Sequence, residues 1–142
     1  MRVARNTLIA DSGFLIALFD PREPHHTAAK AYLQRLPVPV PLLTVEAVVV
    51  EVMFFLAGAQ RRAFLNAVAA TALPVLPLEA SSHQRIAELS NKYDNMTPDY
   101  ADLALIDLAE RTELNKILTL DAHDFSLYRI RGRKCFDLVS WC

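Results

Sequence analysis

Short apolar runs alternate with helical patterns along almost the whole chain, and that alternation restricts the possible folds more than any other feature. Residues 6–10 form an apolar run closed by Asp11-Ser12-Gly13, and residues 14–19 add a helical turn or two before Asp20-Pro21 breaks the pattern. Over residues 25–36, Ala28, Ala29, Tyr32 and Leu33 recur at helical spacing until Pro37 stops them. Residues 40–43 predict a second strand, with Thr44 as N-cap of a helix over 45–57 and Gly58 as its C-terminal stop. Another helix is expected over 60–70, with Phe64, Leu65 and Val68 on one side and Arg61 and Arg62 on the other. Two prolines within residues 73–78 confine any strand there to a sheet edge. Ser81 or Ser82 can cap a helix through Tyr93, and residues 94–98 form a polar connection. A helix over 99–111 carries Ala101, Leu105, Leu108 and Ala109 on its apolar side, and strands are expected at 116–120 and 136–139. Such a succession predicts one α/β domain over residues 1–142, with a mostly parallel central sheet flanked by helices. In sheets of that kind ligands collect at the carboxyl edge, where strands end and helices begin.

The composition agrees with a compact core: 53% of the 142 residues are hydrophobic and 22% charged, which argues against disorder. Fifteen Lys and Arg against sixteen Asp and Glu give a net charge of -1, which excludes a basic coat of the kind that binds nucleic acid passively. It does not exclude a nuclease, because the total averages an acidic pocket with basic side chains elsewhere. Cys135 and Cys142 are too few and too close in sequence for a disulfide framework and suit a reducing cytoplasm. His25, His26, His83 and His123 are scattered and no CxxC pair occurs, so zinc has no local ligand signature. The first 19 residues superficially resemble a signal peptide, but Asp11 interrupts the apolar run and no small-residue cleavage site follows. Residues 47–59 carry Glu51 in their interior and are too short for a bilayer, so no membrane segment is expected.

The acids sit where chemistry is expected. Asp11 follows the first strand and Asp121 the strand ending in Leu118-Thr119-Leu120, while Asp99 and Asp102, three apart, share one face of a helix's first turns. Glu51 is the lone acid of residues 47–56, a helical stretch so apolar that it reads as buried nearly all round, so it needs a partner, a proton or an exit to solvent. Structural explanations compete with a functional one. Asp99 and Glu46 suit the helix dipole as first-turn acids, and Asp11, Asp121 and Asp124 suit turns and caps. If the carboxylates do converge, they repel one another and raise each other's pKa unless a cation neutralises them. Magnesium or manganese fits an all-oxygen donor set, and the chemistry that follows is metal-assisted hydrolysis of a phosphodiester.

Four segments together resemble the PIN domain, and specifically the VapC-type ribonuclease toxins of toxin-antitoxin pairs. They are Ile9-Ala10-Asp11-Ser12-Gly13-Phe14-Leu15, then Leu43-Thr44 followed by Glu51, then Asp99-Tyr100-Ala101-Asp102-Leu103-Ala104-Leu105-Ile106, and Ile117-Leu118-Thr119-Leu120-Asp121-Ala122-His123-Asp124-Phe125. The resemblance implies a three-layer α/β/α sandwich and a metal-dependent endoribonuclease. It implies Asp11, Glu51, Asp102 and Asp121 as catalytic acids, with magnesium or manganese on Asp11, Asp102, Asp121 and Asp99. Either Asp99 or Asp102 could be the nearer ligand, and Asp102 is preferred because counting from it puts Ala109 where the family has a small residue. Ser12 and Asp124 would be auxiliary.

Arg61, Arg62, Arg129, Arg131, Arg133 and Lys134 are candidate RNA contacts, the last four forming a local basic cluster. Similar toxins bind an antitoxin segment over an apolar groove, and the apolar 45–57 helix suggests a homodimer face. Two other readings stand beside this one. The chain could be a catalytically silent PIN-like interaction module, or another acid-based phosphoryl-transfer enzyme such as a haloacid-dehalogenase-type phosphatase. The latter needs a second Asp where Gly13 stands.

Overall fold

The computed structural model describes residues 3–142; Met1 and Arg2 lie outside the described residues. Its elements run β1 (Leu8–Ala10), α1 (Ser12–Phe19), α2 (His26–Arg35), β2 (Leu42–Leu43), α3 (Glu46–Phe55), α4 (Gly58–Ala69) and α5 (Ser82–Lys92). A 3-10 turn (Asp94–Met96) follows, then α6 (Tyr100–Thr112), β3 (Lys116–Leu118), α7 (Ala122–Leu127), β4 (Arg129–Ile130), β5 (Lys134–Cys135) and β6 (Asp137–Leu138). Four strands form a fully parallel sheet in the order β2-β1-β3-β6, with Ile9 opposite Ile117 and Ala10 opposite Leu118 across the central pair. Leu8, Ile9 and Ala10 are all buried, as are Ile117 and Leu118. A parallel sheet buried on both faces needs helices on both, and the chain supplies them through its crossovers.

Several sequence expectations shift by a few residues for identifiable reasons. Val45, not Thr44, occupies the N-cap of α3 and makes no side-chain cap bond. The Thr44 hydroxyl instead donates to the Ala10 carbonyl at 2.7 Å, tying the end of β2 to the end of β1. Gly58 does not stop α3; it opens α4 at φ +55°, a left-handed conformation that a side chain would strain. Residues 73–78 contribute only a parallel bridge between Thr44 and Val75. Ser81 is the N-cap of α5 without a cap bond, while the Ser82 hydroxyl accepts from the Glu79 amide at 3.0 Å. The antiparallel β4-β5 hairpin and α7 are too short to show a period, and residues 119–120 leave the ladder before the expected strand end.

The two helices that frame the site depart from expectation in opposite directions. α6 is buried at every residue from Ala101 to Glu110, its polar positions included. α3, expected to be buried nearly all round, buries Val48 and Val52 but leaves Val50, Phe54 and Phe55 exposed, Phe54 at 82%. Depth in the fold, not composition, separates the two helices.

Candidate metal centre

Three acids identified from the sequence turn out to be helix caps. Asp11 accepts from the Ser12 amide at 2.7 Å at the head of α1, Asp99 from the Asp102 amide at 2.9 Å at the head of α6, and Asp121 from the Asp124 amide at 3.3 Å at the head of α7. Capping and a functional role are therefore not alternatives. A cap holds its carboxylate at the junction of strand and helix, which in a parallel sheet is the carboxyl edge. The amide of Asp11 donates to the Leu118 carbonyl at 3.0 Å, so the ends of β1 and β3 lie side by side and Asp11 and Asp121 come from neighbouring strands. Gly13 permits this closeness, because a Cβ there would stand 3.1 Å from the Leu120 side chain.

The result is a cleft of about 460 Å³ onto which Asp11, Ser12, Glu51, Asp99, Asp102 and Asp121 all open. Carboxylate oxygens of Asp102, Asp121 and Asp124 come within 4.8 Å of one another. Asp124, an auxiliary acid by resemblance, thus lies within the same 4.8 Å cluster as Asp102 and Asp121. Glu51 is half-buried at the cleft, not sealed in an apolar interior, which supplies the exit to solvent that its sequence context demanded.

Two hydroxyls that sequence reasoning passed over hold the acids in place. Thr119 donates to Asp11 Oδ2 at 2.7 Å and accepts from the Asp121 amide at 2.9 Å, and Tyr128 donates to Asp102 Oδ2 at 2.8 Å. Thr119 stands between two marked residues in Leu118-Thr119-Leu120-Asp121, which was a usable signal. Tyr128 carried none, because its contact with Asp102 spans 26 positions.

The electrostatics are those of crowded carboxyls without a counter-charge. Burial, reinforced by Asp99, Asp11 and Asp121, pushes the Asp102 carboxyl up to about 8 despite the Tyr128 hydrogen bond. Burial likewise raises Asp11, with Asp99 and Asp121 adding to it, and raises Asp121, with Asp124 and Asp99 adding. Glu51 is raised by burial and by the charges of Asp99 and Asp11. None of these acids joins an ion pair among the described residues. The other two buried acids of α6 do: Asp107 pairs with Arg111 at 2.9 Å, and Glu110 with Arg85 at 2.7 Å. An all-oxygen donor set with raised pKa values and no side-chain cation fits a hard divalent ion.

The basic candidates lie elsewhere. Arg131 packs at the far end of α6, its amide donating to Glu110 Oε2 and its guanidinium to the Glu110 carbonyl, both at 2.8 Å. Eight residues of helix, about 12 Å of rise, separate Glu110 from Asp102. Arg129 donates to the Ser126 and Tyr128 carbonyls, whereas Arg133 and Lys134 are exposed on the hairpin. Arg61 and Arg62 are exposed on α4.

Comparison with known proteins follows the same lines. Ribonuclease VapC26 of Mycobacterium tuberculosis is 28% identical over 137 residues, which span 93% of this chain and 99% of the relative. The crystal structure of VapC20 of Mycobacterium tuberculosis, a Sarcin-Ricin loop cleaving toxin, superposes with a TM-score of 0.68 at 19% identity, covering 82% of this chain and 91% of that one. At that identity the superposition speaks for the fold alone. The family profile described as PIN domain matches residues 8–131, from the first strand through the helix caps to the hairpin, and the chain belongs to the PIN domain family.

Proposed function

We propose that this chain is a metal-dependent endoribonuclease that hydrolyses RNA phosphodiester bonds, acting in the cytoplasm as the toxin of a toxin-antitoxin pair. One observation carries the reading: the buried Asp11 and Asp102 meet Asp121 in one open cleft with no side-chain ion pair among the described residues, in a fold whose other buried acids are paired. Asp11, Asp102 and Asp121 would hold magnesium or manganese directly, with Asp99 and Asp124 alongside. Such an ion supplies a lowered pKa for water and charge neutralisation at the phosphoryl oxygens.

The remaining work falls to this chain's own groups. Thr119 and Tyr128 fix the rotamers of Asp11 and Asp102, and Asp99 and Asp121 are fixed as caps, so the acids need little rearrangement to receive substrate. Glu51 stands at the opening with its carboxyl raised by burial, where it can take the proton that an attacking water releases. Ser12, at the same opening, is placed to hydrogen-bond a phosphate oxygen. Arg133 and Lys134 remain the candidate contacts for more distant phosphates, while Arg129 and Arg131 spend donors on the protein's own carbonyls. A single-stranded or looped RNA suits an open cleft of this shape.

The expected partners have surfaces to match. An apolar groove of about 620 Å³ lined by Val45, Ala47, Val50, Leu78 and Tyr100 adjoins the acids through Glu51 and Asp99, as an antitoxin segment that covers the site would require. Val50, Phe54 and Phe55 give α3 an apolar outer face suited to a homodimer. Cys135 and Cys142 are free and exposed, as a reducing compartment would leave them, and no helix among the described residues is long and apolar enough to cross a membrane.

Sequencing of cellular RNA 5′ ends after induced expression tests the function. The wild type should create new ends at defined sites that Asp11→Asn does not create; identical ends from both proteins would contradict the proposal.

A further inference from the structure

The metal centre has an unexpected support from the segment that follows β6. Along the β3 edge the parallel ladder places the Asp137 amide on the Asn115 carbonyl at 2.7 Å and the Val139 amide on the Ile117 carbonyl at 3.0 Å. The next rung in that two-residue step would take the amide of residue 141 to the carbonyl of Thr119. The rung is made by a side chain instead: the Trp141 indole Nε1 donates to the Thr119 carbonyl at 3.1 Å, in a buried bond. Trp141 is 4% exposed, and its ring stands edge-on to Phe14 at 4.9 Å and an interplanar angle of 88°. Phe14 is itself fully buried, three residues beyond Asp11 in α1.

Thr119 is consequently bonded on three sides. Its carbonyl accepts from Trp141, its hydroxyl donates to Asp11 Oδ2, and the same hydroxyl accepts from the Asp121 amide. Among the described residues its side chain hydrogen-bonds both strand-end acids, and it lies just past the last residue of β3. Removing the Trp141 rung would free the Thr119 peptide to rotate, and its hydroxyl could not then satisfy both acids at once.

We infer that Trp141 is a positioning residue of the metal centre: by closing the last rung of β3 it sets the Thr119 hydroxyl that aligns Asp11 with Asp121. The inference rests on the proposed metal-dependent function and deepens it, assigning the segment after β6 to the site although it touches no carboxylate. A groups-behind-the-ligands role of this kind has a measurable size. Partners of metal ligands change metal affinity by about 10- to 100-fold, and Trp141 acts one bond further out, so a loss of roughly 3- to 10-fold is expected.

The test is calorimetric titration of the full chain with Mn²⁺ and with Mg²⁺, alongside emission from Trp141, the chain's single tryptophan. Trp141→Phe keeps an aromatic ring against Phe14 and loses the indole N–H together with the five-membered ring that carries it. We expect it to bind Mn²⁺ roughly 3- to 10-fold more weakly while circular dichroism shows it folded, and Thr119→Val to lose more, with Thr119→Ser restoring wild-type affinity. In the wild type, Mg²⁺ should shift the tryptophan emission with the midpoint that calorimetry gives. Unchanged Mn²⁺ affinity in folded Trp141→Phe would overturn the inference and leave the function standing. Should that variant not fold, wild-type emission decides: no shift at a Mg²⁺ concentration that saturates the heat signal overturns it. A wild type that binds neither ion overturns the function and the inference together.

Discussion

Three buried acids on one helix have two different fates. Asp107 and Glu110 meet arginines; Asp102 meets a tyrosine and more acids. Burial alone would raise Glu110, but Arg85 and the Arg131 amide hold it below the ordinary carboxylate value, so its charge is compensated within the chain. Nothing among the described residues does this for Asp102. We expect Asp102→Asn, which keeps an acceptor for Tyr128 and removes the charge, to stabilise the metal-free protein by about 1–3 kcal/mol in urea denaturation while abolishing metal-dependent stabilisation.

The same residues set a pH dependence with a definite sign. Asp11, Asp102 and Asp121 are raised in the folded state, Asp102 to about 8 from an unfolded value near 3.8. Between those values the folded protein holds more protons than the unfolded one, so stability is greatest at low pH and falls as pH rises through the window. Glu110, held below the ordinary carboxylate value, contributes with the opposite sign and only at the acid end of that window. Melting in chelator should therefore show a midpoint lower at pH 8 than at about pH 5.5. Added Mg²⁺ or Mn²⁺ should stabilise more at the higher pH, because metal replaces protons. A chelated protein whose midpoint rises with pH would contradict this assignment of charge.

At the scale of elements, what was legible in the sequence was whatever sat beside a long apolar run. β1, β3 and α6 were marked by such runs, and Asp11, Asp99, Asp102 and Asp121 were found because they interrupt or end them. α7 spans six residues and β4 and β5 two each, too short for periodicity to appear, so Tyr128 and the hairpin were not placed. Thr119 and Trp141 work through bonds across 108 and 22 positions, which no local pattern encodes. The apolar composition of α3 records an exposed face as readily as a buried one, so it could be read both as a helix buried nearly all round and as a homodimer face. That face carries its own prediction. With Phe54 and Phe55 both replaced by serine, we expect a protein that is monomeric by light scattering and as stable as the wild type, since both side chains are exposed. A wild type that is already monomeric at high concentration would remove the dimer.

For the molecule as a whole, the near-zero net charge is a sum over separated regions. Acids gather at the carboxyl edge, basic side chains stand on the β4-β5 hairpin and on α4, and a part-buried Arg-Glu network closes the far end of α6. A divalent ion held by these acids would change the sign of the field in the cleft and let it accept a phosphodiester that bare carboxylates would repel. The central claim is that this acidic cleft, loaded with metal, cuts RNA. It is tested most directly by incubating the purified chain with a structured RNA in Mg²⁺ or Mn²⁺, in chelator, and with Asp102→Asn shown to be folded. The account predicts cleavage by the wild type with metal, none in chelator, and a rate lower by at least about a hundredfold for the variant. Cleavage that persists in chelator, or that survives in Asp102→Asn, would contradict it.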